Sequence, residues 1–449
     1  MCYYAMKKLV KYLIYFWIYF FAGISLMGIT RHVYLGGKTI NQPTRDIVTF
    51  LASLPSNIIN FKKLNDSQLI IMDEFNQKNG FTYNRREIPN DYLLISVWDK
   101  ETEQSIIKLI NIKYGETVYR WKINIPEINN EFNNYEINGL KNNLSVKSTR
   151  IFHPYLMNDG SIILDAGGLY KIDRYGKYIW KNSKIKRHHS LETIDGKYFW
   201  SCGYSNSNIK AQKFSVRDYC ILKIDGENGN VVYTKPIFNI FIENGYNLGQ
   251  LLTSNGSEES IRGNIDHFHL NDIEPVMTSS KYWKKGDLFI SLRNNNTVFL
   301  YRPSTNKIIW IQVGPWLKQH DVDIIDSNKI GIFGNDVLDG DFNNKENVFI
   351  NKTNHHYIYD FKTNKITTPY NLLFNNSNIK TILEGRSKII KNKGIFIEET
   401  CRGRLLFGDQ KSLIWSYIEK VDEDHLSMFS WSRYITEEEF SKFTFLKNK

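Results

Sequence analysis

Cysteine is scarce in this chain. Four stand among 449 residues, at Cys2, Cys202, Cys220 and Cys401. That scarcity excludes a small scaffold stapled by disulfides. No C-x-x-C pair occurs, which speaks against a cysteine-based zinc site. Cys202 and Cys220 lie near enough in sequence to bridge, and spacing alone leaves the question open. Dense Lys/Arg runs are missing too. The formal net charge is +11, yet the basic residues are scattered, so nucleic acid is not an expected partner. A scattered basic surface instead favours a membrane face or small anionic substrates. There is no Ser nucleophile elbow and no glycine-rich phosphate loop.

What is present excludes disorder: 42% of residues are hydrophobic and 14% aromatic, enough to bury a large core. Length alone suggests about three domains, but an internal repeat overrides that prior. One long apolar run stands at the N-terminus. Residues Tyr12 to Thr30 carry no charged side chain, and Lys7, Lys8 and Lys11 precede them. Nineteen helical residues reach about 28 Å, the depth of a hydrocarbon core. The segment reads as an uncleaved signal anchor rather than a cleaved signal peptide. No second span follows, so the rest is expected to form a globular body outside the cytoplasm.

A hairpin pattern then repeats about six times. A β-type run, a polar turn and a second run ending in an aromatic recur at Ile106–Trp121, Leu169–Trp180, Ile221–Tyr233, Val298–Trp310, Tyr357–Thr368 and Arg404–Trp415. Most copies follow another hairpin, with turns such as Asn158-Asp159-Gly160, Asp195-Gly196 and Lys285-Gly286-Asp287. Two hairpins make four antiparallel strands, which is one propeller blade. The fold class is therefore all-β: a six-bladed β-propeller preceded by one N-terminal transmembrane or signal-anchor helix. A large irregular β-sandwich is the alternative. The expected organisation is an anchor over 1–30, a linker leading into the propeller over 31–90, the propeller over 91–435 and a tail over 436–449. The segment SMFSWSRYI near the C-terminus is placed to close the ring.

Histidines recur at one place in the repeat, just before the first turn of a blade. They are His153, His188 with His189, His267 with His269, and His320; a later blade has Arg386 there. First strands line a propeller's channel, so these side chains are expected to converge on one funnel. Each has a bland alternative as a structural group. His267 and His269 share a strand face if that segment is extended, which allows a metal pair. No carboxylate is placed to complete such a set, so neither metal nor cofactor is assigned. Arg293 and Arg386 near several imidazoles would make a positive pocket with forked donors for a tetrahedral anion. Imidazole also serves as nucleophile or general acid–base near neutral pH.

The blocks HHSLETIDG, HLNDIEPV with GDLFISLR, GPWLKQHDVDIID, and EGRSKII with FIEETCRGRLLF resemble the arylsulfotransferase family. The resemblance runs from about His153 to Tyr434. It implies an exported six-bladed propeller that uses no nucleotide donor. It implies ping-pong transfer of a sulfuryl group from a phenolic sulfate to a second phenol through a sulfohistidine. His320 is then the nucleophile, and Asp321 or Asp323 would orient it. His269 stabilises the transferring group or protonates the leaving phenolate. Arg293 binds sulfate, and His188 or His189 is a further channel histidine, which of the two being open. Arg386, Asn271 and Asp321 complete the expected substrate-binding set. The partners are an aryl sulfate donor, a phenolic acceptor and, through the N-terminal segment, a membrane. Known members carry an N-terminal β domain with dimer contacts and a close Cys pair near the site; this chain has neither, and its oligomeric state is open. Two other readings remain: a non-catalytic propeller that binds an anionic ligand or a protein, and a metal-dependent propeller hydrolase or lyase.

Overall fold

The computed structural model divides the chain into two units, Met1–Gln68 and Leu69–Lys449. Of the first unit it describes only Tyr15 and Trp17, both helical. Of the second it describes residues 69–446 except 134–135, 138–139, 142–144, 194, 206–208, 212–213, 217, 247–257, 260–263, 340–347 and 351. Among the described residues no helix is long and apolar enough to cross a membrane. The apolar run Tyr12–Thr30 lies outside them apart from Tyr15 and Trp17.

Among the described residues, six antiparallel sheets of the second unit form a ring, with a smaller mixed sheet and three two-stranded pairs outside it. From the channel outward, blade 2 runs Phe152–Leu156, Ile162–Asp165, Leu169–Ile172, Tyr178–Asn182. Blade 3 runs Arg187–Thr193, Tyr198–Tyr204, Tyr219–Asp225, Val231–Pro236. Blade 4 runs Leu270–Pro275, Leu288–Leu292, Thr297–Arg302, Lys307–Val313. Blade 5 runs Asp321–Ile324, Lys329–Gly334, His355–Asp360, Lys365–Thr367. Blade 6 runs Arg386–Ile390, Gly394–Glu399, Arg404–Gly408, Leu413–Ile418.

Both ends of the unit close the ring. Blade 1 takes Tyr92–Asp99, Gln104–Asn111 and Thr117–Trp121 from the front of the unit, and its inner strand Arg433–Ile435 from the back. Tyr92 pairs with Ile435, and Leu94 with Arg433. The early strand Gly80–Tyr83 adds a fifth, outermost strand to blade 6. Each terminal strand thus covers an edge left by the other end of the chain.

The core follows from strand periodicity. Successive side chains point to opposite faces, and every blade has a neighbour on both faces. In Tyr92–Asp99, Leu93, Ile95 and Val97 pack toward blade 6, while Tyr92 and Leu94 pack toward blade 2. In blade 2, Ile162 and Leu164 face blade 1 and Ile163 faces blade 3. One apolar cluster fills each of the six blade–blade interfaces. This two-sided burial explains apolar runs such as Ile106–Asn111 that do not alternate with polar residues. Each fully buried Leu, Ile or Phe stabilises the ring by about 1.5–3 kcal/mol. The cysteines Cys202, Cys220 and Cys401 are free, so the possible Cys202–Cys220 bridge is not formed. The strand register sets Cys202 opposite Ile221 and Cys220 opposite Gly203.

Candidate active site

The inner strands all begin at one end of the channel, and every beginning is kinked. The backbone is left-handed at His153 (φ 41°), His189 (58°), His269 (47°), Lys318 (49°), Glu384 (53°) and Trp431 (60°), one non-glycine residue per blade, with Gly385 (82°) following Glu384 in blade 6. Such a φ costs a non-glycine residue about 1–3 kcal/mol and persists only where the surroundings enforce it. In three blades pairing also slips here, between Phe152 and Tyr155, His188 and Leu191, and Leu270 and Asp272. A bulge re-aims the side chains beside it. The kinks turn His189 and His269 off their strands toward the axis, where they meet residues of other blades.

Four imidazoles gather there. His189 Nε2 stands 3.1 Å from His269 Nε2. The His320 ring centre lies 5.6 Å from that of His189 and 6.4 Å from that of His269. His188 packs at 4.6 Å from His189 and 5.6 Å from His269, and stacks on Tyr204 at 4.7 Å. Both members of the adjacent pair therefore contact His269, but His189 is the one in ring contact with His320. His267 makes no ring contact with this group among the described residues, because residues 267–269 are not extended and the i, i+2 relation fails.

The tautomer of His320 is fixed from outside. Its Nδ1 lies 2.6 Å from Asn335 Oδ1 and 3.2 Å from the Lys318 carbonyl. Asn335 cannot turn over, because its Nδ2 donates to the carbonyls of Thr381 (3.0 Å) and Glu384 (2.8 Å). Its oxygen must face His320, so Nδ1 carries the proton and Nε2 the lone pair. Burial, with the positive charge of Arg293 next, holds His320 well below the usual imidazole value. His189 is lowered likewise, by burial and then by the surrounding histidines. Both are neutral at pH 7. Neither Asp321 nor Asp323 orients His320: Asp321 Oδ1 stands 3.3 Å from Arg386 and Asp323 Oδ1 stands 3.5 Å from Lys388.

His269 is held by a carboxylate. Its Nδ1 is 2.8 Å from Asp266 Oδ2, and its backbone N–H donates to Asp266 Oδ1 at 3.1 Å. Tyr219 Oη donates to the same Oδ2 at 2.7 Å. Arg293 begins a tight turn after the strand Leu288–Leu292, is buried, and donates to Asn294 Oδ1 at 2.8 Å. The other expected binding residues build the wall. Arg386 contacts His153 Nε2 at 2.9 Å and lies over Trp431 at 5.5 Å. Asn271 donates to the Gln319 carbonyl at 2.7 Å.

A family model described as Arylsulfotransferase (ASST) matches residues 153–420, well over half of the chain. The chain belongs to the arylsulfotransferase family. The matched span holds blades 2 to 6, and with them His189, His269, Arg293, His320 and Arg386. No curated protein matches the sequence. Among solved structures the chain is similar to TolB from Acinetobacter baumannii, at 10% identity and TM-score 0.38, covering 77% of this chain and 67% of that one. It is also similar to U3-55K, at 11% and 0.34, covering 59% and 63%. The WD40 beta propeller domain of Doa1 stands at 14% and 0.31, covering 55% and 58%. Likeness at these scores adds nothing to the six sheets themselves.

Sequence reasoning missed Asn335, Asp266, Tyr219 and Trp431. Asn335 had a signal. It follows the second strand of blade 5 as Arg293 follows the second strand of blade 4, so the register that gathered the histidines also finds it. Asp266 and Tyr219 had none, since Asp266 reaches the site from a strand, Asn264–Asp266, outside the six blades.

Proposed function

We propose that the chain is an arylsulfate sulfotransferase that moves a sulfuryl group between phenols by ping-pong transfer through a sulfohistidine at His320. One observation carries this reading. A neutral imidazole has its Nδ1–H tied down by Asn335, which leaves the Nε2 lone pair beside His189 and His269. In the first half-reaction Nε2 attacks the sulfur of an aryl sulfate. The S–N bond forms, the S–O bond to the aryl group breaks, and its electron pair leaves on the phenolate oxygen. His269 gives its Nε2 proton to that oxygen while Asp266 holds Nδ1–H. In the second half-reaction a phenol oxygen attacks sulfur, the S–N pair returns to His320, and the phenol proton passes to His269. Arg293 and His189 stabilise charge on the equatorial oxygens, as cationic and N–H donors do in phosphoryl transfer. His188 buttresses both neighbouring rings, while Arg386, Asn271 and Asp321 hold the substrate-facing wall in place. Neither nucleotide nor cofactor enters the scheme.

The apolar segment Tyr12–Thr30 behind Lys7, Lys8 and Lys11 supports a membrane anchor, with the propeller outside the cytoplasm. The deciding assay uses p-nitrophenyl sulfate with and without added phenol. Nitrophenolate release that requires phenol, and that His320→Asn abolishes, is the expected result. Release into water alone would mean a sulfatase. No release from folded protein over a panel of phenols would mean a binding propeller.

A further inference from the structure

The sequence reading assigned no metal, and the pair it weighed was His267 with His269. The structure gathers a different set. One ring nitrogen each of His188, His189 and His269 can be chosen so that all three lie within 4.8 Å of one another. For zinc, with Zn–N near 2.0–2.1 Å, tetrahedral ligands stand about 3.3 Å apart. The His189 Nε2–His269 Nε2 separation of 3.1 Å is close to that. The outer partners fit as well. Asp266 fixes His269 as the Nδ1–H tautomer, which aims its Nε2 lone pair at His189, and Tyr219 anchors Asp266 in turn. A carboxylate behind a ligating imidazole is the usual outer partner of a metal-bound histidine. His188 is held by its stack on Tyr204. Without a cation, a proton lies between the two Nε2 atoms, and whichever ring carries it the buried His189 Nδ1 is left with no protein partner among the described residues.

We propose that His188, His189 and His269 bind one zinc-class divalent cation, and that this occupancy excludes sulfuryl transfer. Three neutral imidazoles suit Zn²⁺, Co²⁺, Ni²⁺ or Cu²⁺ rather than Mg²⁺ or Ca²⁺. The exclusion rests on the transfer scheme above. The metal takes the Nε2 lone pairs of His189 and His269, so neither nitrogen can carry a proton to the sulfuryl oxygens or the leaving phenolate. The metal binding itself does not rest on that scheme.

The test begins with full-chain protein stripped by chelator and titrated with Co²⁺. Uptake of one Co²⁺ per chain, with the intense visible absorption of a tetrahedral site, is expected; Zn²⁺ should displace it. Asp266→Asn should weaken binding about 10–100-fold. His188→Phe, which keeps an aromatic ring against Tyr204, should abolish the tetrahedral spectrum. Absence of stoichiometric uptake by the unaltered protein overturns the site, and that result stands even if neither variant folds. A spectrum unchanged in folded His188→Phe overturns the ligand set. Zn²⁺ should also inhibit nitrophenolate release over the concentration range in which it binds. Binding with activity unchanged or raised by the metal overturns the exclusion while leaving the site intact, and stoichiometric Co²⁺ uptake by a protein that releases no nitrophenolate either stripped or loaded counts against the transfer scheme alone.

Discussion

A histidine is a good nucleophile only when one nitrogen is neutral and aimed, and two side chains supply those conditions separately. Arg293 acts through charge. Its positive charge adds to burial in lowering His320 below the ordinary imidazole value of 6.5, so the acid limb of kcat/KM is expected below that pH. Arg293→Met removes a cause that lowers the value, and the limb should therefore move upward. It should also cost about 10²–10³-fold in kcat, as expected for a lost transition-state donor. An acid limb unmoved in that variant would show that Arg293 does not act on His320. Asn335 acts through geometry. Asn335→Leu should reduce kcat by about 10²-fold with little change in KM, since small misplacements cost that much. Asn335→Asp keeps an acceptor for Nδ1–H and should recover most of the rate. Its carboxylate favours the imidazolium, so the acid limb should then rise. A purely structural role would give neither the recovery nor the shift.

At the scale of the strand, the site depends on how each blade begins. Every blade opens its inner strand with a left-handed residue that is not glycine, and only blade 6 adds a glycine, Gly385 (φ 82°), beside it, so the surroundings must hold the rest. Blade 1 shows how. The Glu398 carboxylate accepts the backbone N–H groups of Trp431 (2.8 Å) and Ser432 (2.6 Å), with Thr400 Oγ1 at 3.0 Å. Glu398 belongs to blade 6, so one buried side chain fastens the last corner of the ring. Glu398→Ala strands two buried donors and should cost roughly 2–4 kcal/mol. Urea unfolding should show a lower midpoint at unchanged slope; Glu398→Gln, which keeps an acceptor, should lose less. An unchanged midpoint would mean the corner is held by packing alone. This is also where the sequence stops being legible. The repeat, the turns and the positions of His320, His269 and His189 could be read from period and spacing, because two-sided burial and polar turns leave marks in one dimension. The kinks could not, because none of them needs a glycine or asparagine: three fall at His, which visits positive φ more often than most residues yet still seldom, and the others at Lys, Glu and Trp. Which of His188 and His189 meets His320 is decided by the kink at His189 and the slip beside it, so the pair was ambiguous until the backbone was known.

Across the whole molecule, the channel below the histidines carries more negative than positive groups. Glu192, Asp272, Glu274, Asp321 and Asp323 line it from blades 3 to 5, against Arg386, Lys388 and Arg433 from blades 6 and 1. Among the described residues, two of the acids, Asp272 and Glu274, have no ion-pair partner of their own. Burial pushes Asp272 up to about 8, and Glu274 well above its usual range. A carboxyl raised in this way holds its proton in the folded chain and loses it in the unfolded one. Its stabilisation is complete below the unfolded value and is lost as pH rises toward the folded one. The buried histidines work in the opposite sense: His320, His189 and His356, the last lowered to about 4, reduce stability only as pH falls below 6.5. The two effects overlap in acid, but between pH 6.5 and 8 only the carboxyls act. Thermal stability should therefore fall with rising pH across that window, by at most about 1.4 kcal/mol per unit for each proton held. Asp272→Asn cannot ionise and its amide oxygen can still accept the Val322 N–H, which Asp272 Oδ2 accepts at 2.8 Å. That variant should flatten the slope. A melting temperature that stays level, or rises, from pH 6.5 to 8 in the unaltered protein would mean that the channel carboxylates are ionised and matched by cations or water.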